Sequence, residues 1–216
     1  TNLKNTSLKA TKKNRNLKGT LSTNNVIESK FLNKRLVYKI YLPPEDKIEK
    51  KLPVIYINDG FKYINKGKMP QLVDSLITNN IIKPVALVFL SPKDRVTKKN
   101  SRQELFLCNQ KFVSFFTDEL MPEIEKEYPV SNKKLDRTIL GLSFGGLAAA
   151  YIAFNAPNSF KNIAMQSPAF HPCPIIYDFY LKKPKEDFKI YLSYGTGKDT
   201  ESQALPMVKN LKKRKY

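Results

Sequence analysis

The stretch Thr138-Ile139-Leu140-Gly141-Leu142-Ser143-Phe144-Gly145-Gly146-Leu147 constrains this chain more than any other. A short apolar run ends in Gly-x-Ser-x-Gly-Gly, and Ala148, Ala149 and Ala150 follow at once. This is the sequence form of a nucleophile elbow, in which a strand turns sharply into a helix. The backbone at the serine is strained, and glycines two residues to either side remove side chains that would collide. The turn exposes the Ser143 hydroxyl and sets the N–H of Phe144 at a helix N-terminus, where it can meet an oxyanion.

The elements around the elbow have a consistent order. Leu36–Leu42 reads as an early, half-exposed strand stopped by Pro43-Pro44. Pro53–Ile57 and Val85–Leu90 are continuous apolar runs, as expected of strands buried on both faces. Met69–Asn80 and Phe112–Glu127 carry helical spacing, with a kink or break expected at Pro122. Short strands are expected at Asn162–Gln166 and Phe188–Ser193, and a last helix at Ser202–Lys213. Strands alternating with helices give an α/β domain, its mostly parallel sheet covered on both sides. Residues 26–216 fit that single domain. Residues 1–25, rich in Asn, Thr, Lys and Ser, read as a flexible tail or edge element. The start at Thr rather than Met leans toward a processed, exported protein.

Composition narrows the chemistry. No apolar run is long enough to span a bilayer. The 38 Lys+Arg against 19 Asp+Glu give a net charge of +19, a field that concentrates anions. The lysines are spread along the chain without a nucleic-acid-binding motif, so they are read first as a solvated surface and no nucleic-acid partner is expected. Cys108 and Cys173 are the only cysteines, free to pair or to stay apart. No metal-ligand spacing exists, and neither metal nor cofactor is expected.

Residues from Arg102 to Phe170 then resemble the enterochelin-esterase-like family of α/β-hydrolases. The resemblance is carried by Arg102-x-Glu104-Leu105, Cys108-Asn109, Phe112, Glu119-Leu120-x-Pro122-x-Ile124, Tyr128, Asp136-Arg137-Thr138, the elbow, Pro157-x-x-Phe160 and Gln166-Ser167-x-x-Phe170. Asp59-Gly60 and Gly195-Thr196 before Asp199 match less sharply. The resemblance implies an eight-stranded α/β-hydrolase sheet and a Ser, acid, His triad in that chain order. Ser143 takes the nucleophile position. Asp199 takes the acid, with Glu201 in reserve; either also suits the first turn of a helix ahead of Ser202. Gly60 or Phe61 supplies the second oxyanion donor beside Phe144.

The family's histidine follows the acid, and none stands there. Three readings are open: the C-terminal part that carries it is missing from this chain, His171 serves as base or lines the pocket, or the fold binds without catalysis. The resemblance implies a serine esterase needing no cofactor, acting on a small-molecule or glycan ester such as a siderophore lactone. An acyltransferase would share every residue. His171, Arg102 and Lys62 lie where loops could reach an anionic substrate.

Overall fold

The computed structural model describes residues 17–94, 96–197 and 199–216. Eight strands form one sheet. β1 (Thr20–Leu21) and β2 (Asn25–Ser29) pair end to end along one edge of β3 (Lys34–Leu42), both antiparallel to it. The other edge of β3 pairs antiparallel with β5 (Ala86–Ser91). From there β4 (Val54–Ile57), β6 (Arg137–Leu142), β7 (Asn162–Gln166) and β8 (Lys189–Ser193) continue in parallel, in the order β5-β4-β6-β7-β8. This is the α/β-hydrolase arrangement.

Side-chain alternation sorts the core into two layers. Tyr56, Val88 and Ile139 point into the larger one, which packs against α3 (Arg102–Phe106), α4 (Gln110–Ser114), α5 (Met121–Glu127), α6 (Phe144–Asn155), α7 (Ile175–Lys182) and α8 (Glu201–Lys213). Ile57, Phe89 and Leu140 point into the other, beneath α1 (Gly60–Asn65) and α2 (Met69–Thr78). The alanines of α6 are fully buried, and their small size brings that helix close to the sheet.

Two expectations change, and for the tail or edge element the described part is an edge. β3 is interior rather than half-exposed, because it is paired on both edges; Leu36, Tyr38 and Tyr41 are wholly buried. The helix containing Pro122 does not break: a π-helical turn over Phe115–Leu120 leads directly into α5, and the widened register just ahead of Pro122, where the Met121 amide donates to the Phe116 carbonyl, accommodates the proline inside a continuous helix. The polar N-terminal region is packed from Leu17 onward, and β1 and β2 are its edge strands. The rest of the expected tail, residues 1–16, lies outside the described residues.

Candidate functional site

Ser143 stands between β6 and α6 with φ 58° and ψ −121°. That conformation is the strained one the elbow pattern predicts. A Cβ on Gly141 would lie 2.0 Å from the Gly145 carbonyl oxygen, so only glycine fits there. The Ser143 amide donates to the Gln166 carbonyl at the end of β7 (3.0 Å). Its carbonyl accepts from Gly146 and Leu147 in the first turn of α6 and from Ala169 (3.2 Å). Phe144 supplies the first amide of α6, a position without an intrahelical acceptor.

The segment after β4 is tied to this turn. Asn58 donates its amide to the Leu140 carbonyl (2.9 Å) and its side-chain N–H to the Gly145 carbonyl (3.2 Å). Asp59 follows in the left-handed region at φ 55°, and α1 begins at Gly60. A Cβ on Gly60 would meet the Phe89 backbone at 2.4 Å, so the tight approach to β5 requires glycine. Gly60 and Phe61 therefore offer their amides in the first turn of α1, one helix N-terminus beside another.

The Asp59 carboxylate is 2% exposed, and two cations meet it. Arg102 Nε donates to Asp59 Oδ2 at 2.5 Å, and Lys62 Nζ lies 3.3 Å from the same oxygen. The Arg102 guanidinium also donates to the Leu142 carbonyl (3.4 Å) and lies over the Phe144 ring, 4.8 Å from its centroid. Arg102 thus bridges the α1 loop and the elbow. It opens α3 rather than lying on a loop, and its guanidinium is paired with Asp59. Lys62 keeps an exposed stem while its ammonium engages the same carboxylate.

Asp199 lies in the exposed loop between β8 and α8. Its Oδ2 accepts from the Ser167 hydroxyl (2.7 Å) and the Gly195 amide (2.8 Å). The Ser167 bond first, then the Gly195 amide, hold the carboxyl below the usual Asp range. Ser167 follows β7 with φ 40°, and its amide donates to the Ser193 carbonyl at the end of β8 (2.7 Å). Ser143, Ser167 and Asp199 are consequently strung across the C-terminal ends of β6, β7 and β8. Glu201 opens α8, whose N-cap residue is Thr200. His171 is exposed: its Nδ1 lies 2.8 Å from Gln203 Oε1, and its amide donates to that same oxygen. His171 is thereby fastened to α8.

Sequence reading missed Asn58, Ser167 and the Tyr63 hydroxyl, which donates to Gln166 Oε1 (2.6 Å). Each acts through a partner far along the chain, and only Ser167 lay in a stretch that carried the family resemblance. Cys108 and Cys173 are joined in a disulfide, settling what the sequence left open; it fastens the start of the α4 region to the loop carrying His171. Among the described residues no group of three or more His, Cys, Asp or Glu could hold a metal ion.

With this geometry in place, comparison with known proteins gives a consistent result. The family model described as Putative esterase matches residues 29–212. The uncharacterized protein YjcH of Bacillus subtilis (strain 168) is 30% identical over 140 residues, covering 65% of this chain and 58% of YjcH. The iron(III) salmochelin esterase of Escherichia coli O6:H1 is 25% identical over 193 residues, covering 82% of this chain and 45% of the relative. Among solved structures, the enterobactin esterase of Shigella flexneri superposes with a TM-score of 0.76 at 20% identity, over 89% of this chain and 50% of that one. That last likeness is one of fold. The chain spans about half the length of these relatives.

Proposed function

Because the chain belongs to that esterase family, we propose that it is a carboxylic ester hydrolase working through an acyl-enzyme on Ser143. The observation that carries the reading is the strained Ser143 backbone, which exposes a hydroxyl beside two helix N-termini. Ser143 Oγ gives its proton to an imidazole and attacks the ester carbonyl. The N–H groups of Phe144 and of Gly60 or Phe61 receive the negative charge on the carbonyl oxygen, from dipoles fixed before that charge develops. The C–O bond breaks, and the alcohol leaves with the proton. Water, deprotonated by the same imidazole, then attacks the acyl group and frees the serine.

Asp199 orients the imidazole and stabilises its charged form. The resemblance implies a base after the acid in chain order; His171, whose Nδ1 is bonded to Gln203 and whose Nε2 is free among the described residues, is the alternative. The substrate class is a small-molecule or glycan-linked ester. The excess of Lys and Arg favours an anionic one such as a catecholate lactone.

Labelling with a fluorophosphonate probe, comparing wild type with Ser143→Ala, tests the reading. Labelling that disappears in the variant supports an activated serine, and hydrolysis of catecholate lactones against hydroxycinnamoyl esters then ranks substrates. A protein carrying the C-terminal histidine that does not label at all overturns the hydrolase and leaves a ligand-binding fold.

A further inference from the structure

Independently of the catalytic reading, we propose that the sheet edge opposite Ser143 docks on an anionic membrane surface. Ser143 and Asp199 sit at the C-terminal ends of the parallel strands. The segments leading into β4, β5, β6, β7 and β8 all lie at the other end, together with the last turns of α2, α7 and α8.

Direct contacts join those segments into a continuous rim. Lys47 Nζ donates to Asn80 Oδ1 (2.9 Å), and the Ser131 amide to the Leu52 carbonyl (2.8 Å). The Lys161 amide donates to the Lys134 carbonyl (3.1 Å), the Lys189 amide to the Lys161 carbonyl (2.8 Å), and Lys185 Nζ to the Lys215 carbonyl (2.7 Å). Lys50 and Lys51 precede β4, Lys83 precedes β5, and Lys133 and Lys134 precede β6. Lys212, Lys213 and Lys215 close the rim at the end of α8. The carboxylates here are fewer. Asp187 pairs with Lys161, Asp136 accepts from the Ser131 hydroxyl, Glu125 pairs with Arg137 at the start of β6, and Glu45, Asp46, Glu49, Glu127 and Glu186 lie in the same segments.

The same rim carries three aliphatic side chains in water. Ile81 and Ile82 are 66% and 37% exposed in the segment before β5, and Leu135 is 66% exposed before β6. Only β4 separates those two strands in the sheet, so the three side chains belong to the same end of neighbouring strands. A single exposed aliphatic residue is ordinary. Lysines near helix C-termini also offset helix dipoles. Neither accounts for three aliphatic tips set among lysines on one edge. That combination suits a headgroup layer, where the tips enter the acyl boundary while ammonium groups hold phosphates. Single-stranded nucleic acid would call for stacking aromatics, and the exposed apolar residues on this edge are all aliphatic. No described helix is long and apolar enough to cross a membrane, so this contact lies on the surface and turns Ser143 outward.

Sedimentation with vesicles tests the proposal. The protein should bind mixed phosphatidylglycerol–phosphatidylcholine vesicles, release as salt rises, and ignore pure phosphatidylcholine. The triple variant Ile81→Ser, Ile82→Ser, Leu135→Ser leaves every charge in place, including those of residues 1–16, and should bind at least about tenfold more weakly. Lys133→Glu with Lys134→Glu should also weaken binding and flatten its salt dependence. Ile81, Ile82, Lys133 and Leu135 are exposed and Lys134 is half-buried with its ammonium over the Phe188 ring, so unchanged melting of each variant checks the fold. Equal binding to neutral vesicles, no binding by the wild type, or a triple variant that binds like the wild type would each overturn the proposal. Retention on heparin that survives the triple substitution, with vesicle binding likewise unchanged, would reassign the rim to soluble polyanions.

Discussion

Replacing Arg102 with methionine keeps an apolar stem against Phe144 and removes the charge that faces Asp59. The Asp59 carboxylate is 2% exposed and cannot turn to water. Stripping a buried carboxylate of its partner costs about 3–5 kcal/mol. Lys62 Nζ, at 3.3 Å on a half-exposed side chain, offsets part of that, which puts Arg102→Met near the lower end, about 3 kcal/mol. For a chain of this size that is a fall in Tm of about 6–12 °C. Asp59→Asn is the informative counterpart, because asparagine tolerates the φ of 55° and only the charge is lost. It leaves Arg102 able to reach solvent and should cost about 1 kcal/mol. In the Asp59→Asn background, Arg102→Met should then cost only about 1 kcal/mol, a coupling of about 2 kcal/mol. Thermal and urea unfolding of the four proteins measure the cycle, with ester turnover reporting whether the Gly60–Phe61 amides have shifted. Additivity of the two substitutions within about 0.5 kcal/mol would refute the claim that this pair fastens the α1 loop to the elbow.

The other predictions concern the elbow, the acid and the disulfide. Ser143→Gly relieves a backbone strain of about 2 kcal/mol against an added entropy cost of about 1 kcal/mol, so calorimetry should show Tm raised by about 2–4 °C while probe labelling vanishes. Ser167→Ala removes the main cause of the depressed Asp199 pKa, and carboxyl NMR should find its titration moved toward the ordinary Asp value. A depressed carboxyl adds stability above its unfolded-state pKa and loses it as pH falls from there through the folded value, so in Ser167→Ala the loss should start at the same pH, be smaller and be complete at higher pH. Reducing Cys108–Cys173, which closes a loop with a sequence separation of 65, should lower stability by about 4 kcal/mol, read as a drop in melting temperature with reductant.

What the sequence made legible was local. The apolar runs of β4 and β5 and the Gly-x-Ser-x-Gly-Gly turn each state their own geometry within about ten residues. Pairings across the fold were not legible. Arg102 and Asp59 are 43 residues apart, and nothing near either one marks the other as its partner. Ser167 reads as an ordinary post-strand serine until β8 brings Asp199 beside it. That the polar N-terminal segment forms strands was not legible, because β1 and β2 gain their pairing only once β3 offers an edge. Pro122 predicted a break because proline lacks an N–H; the π-helical turn ahead of it shifts the hydrogen-bond register and lets the helix continue. The elbow was visible and the residues that hold it in place were not.

The bridge between Cys108 and Cys173 has a topological consequence. Backbone and disulfide together form a closed covalent circuit that runs through α4, α5, β6, the elbow, α6 and β7, with Ser143 inside it. A protease cutting any loop within that circuit opens the ring but frees no fragment. The nicked protein would keep its mass under oxidising conditions and separate into two pieces only when reduced.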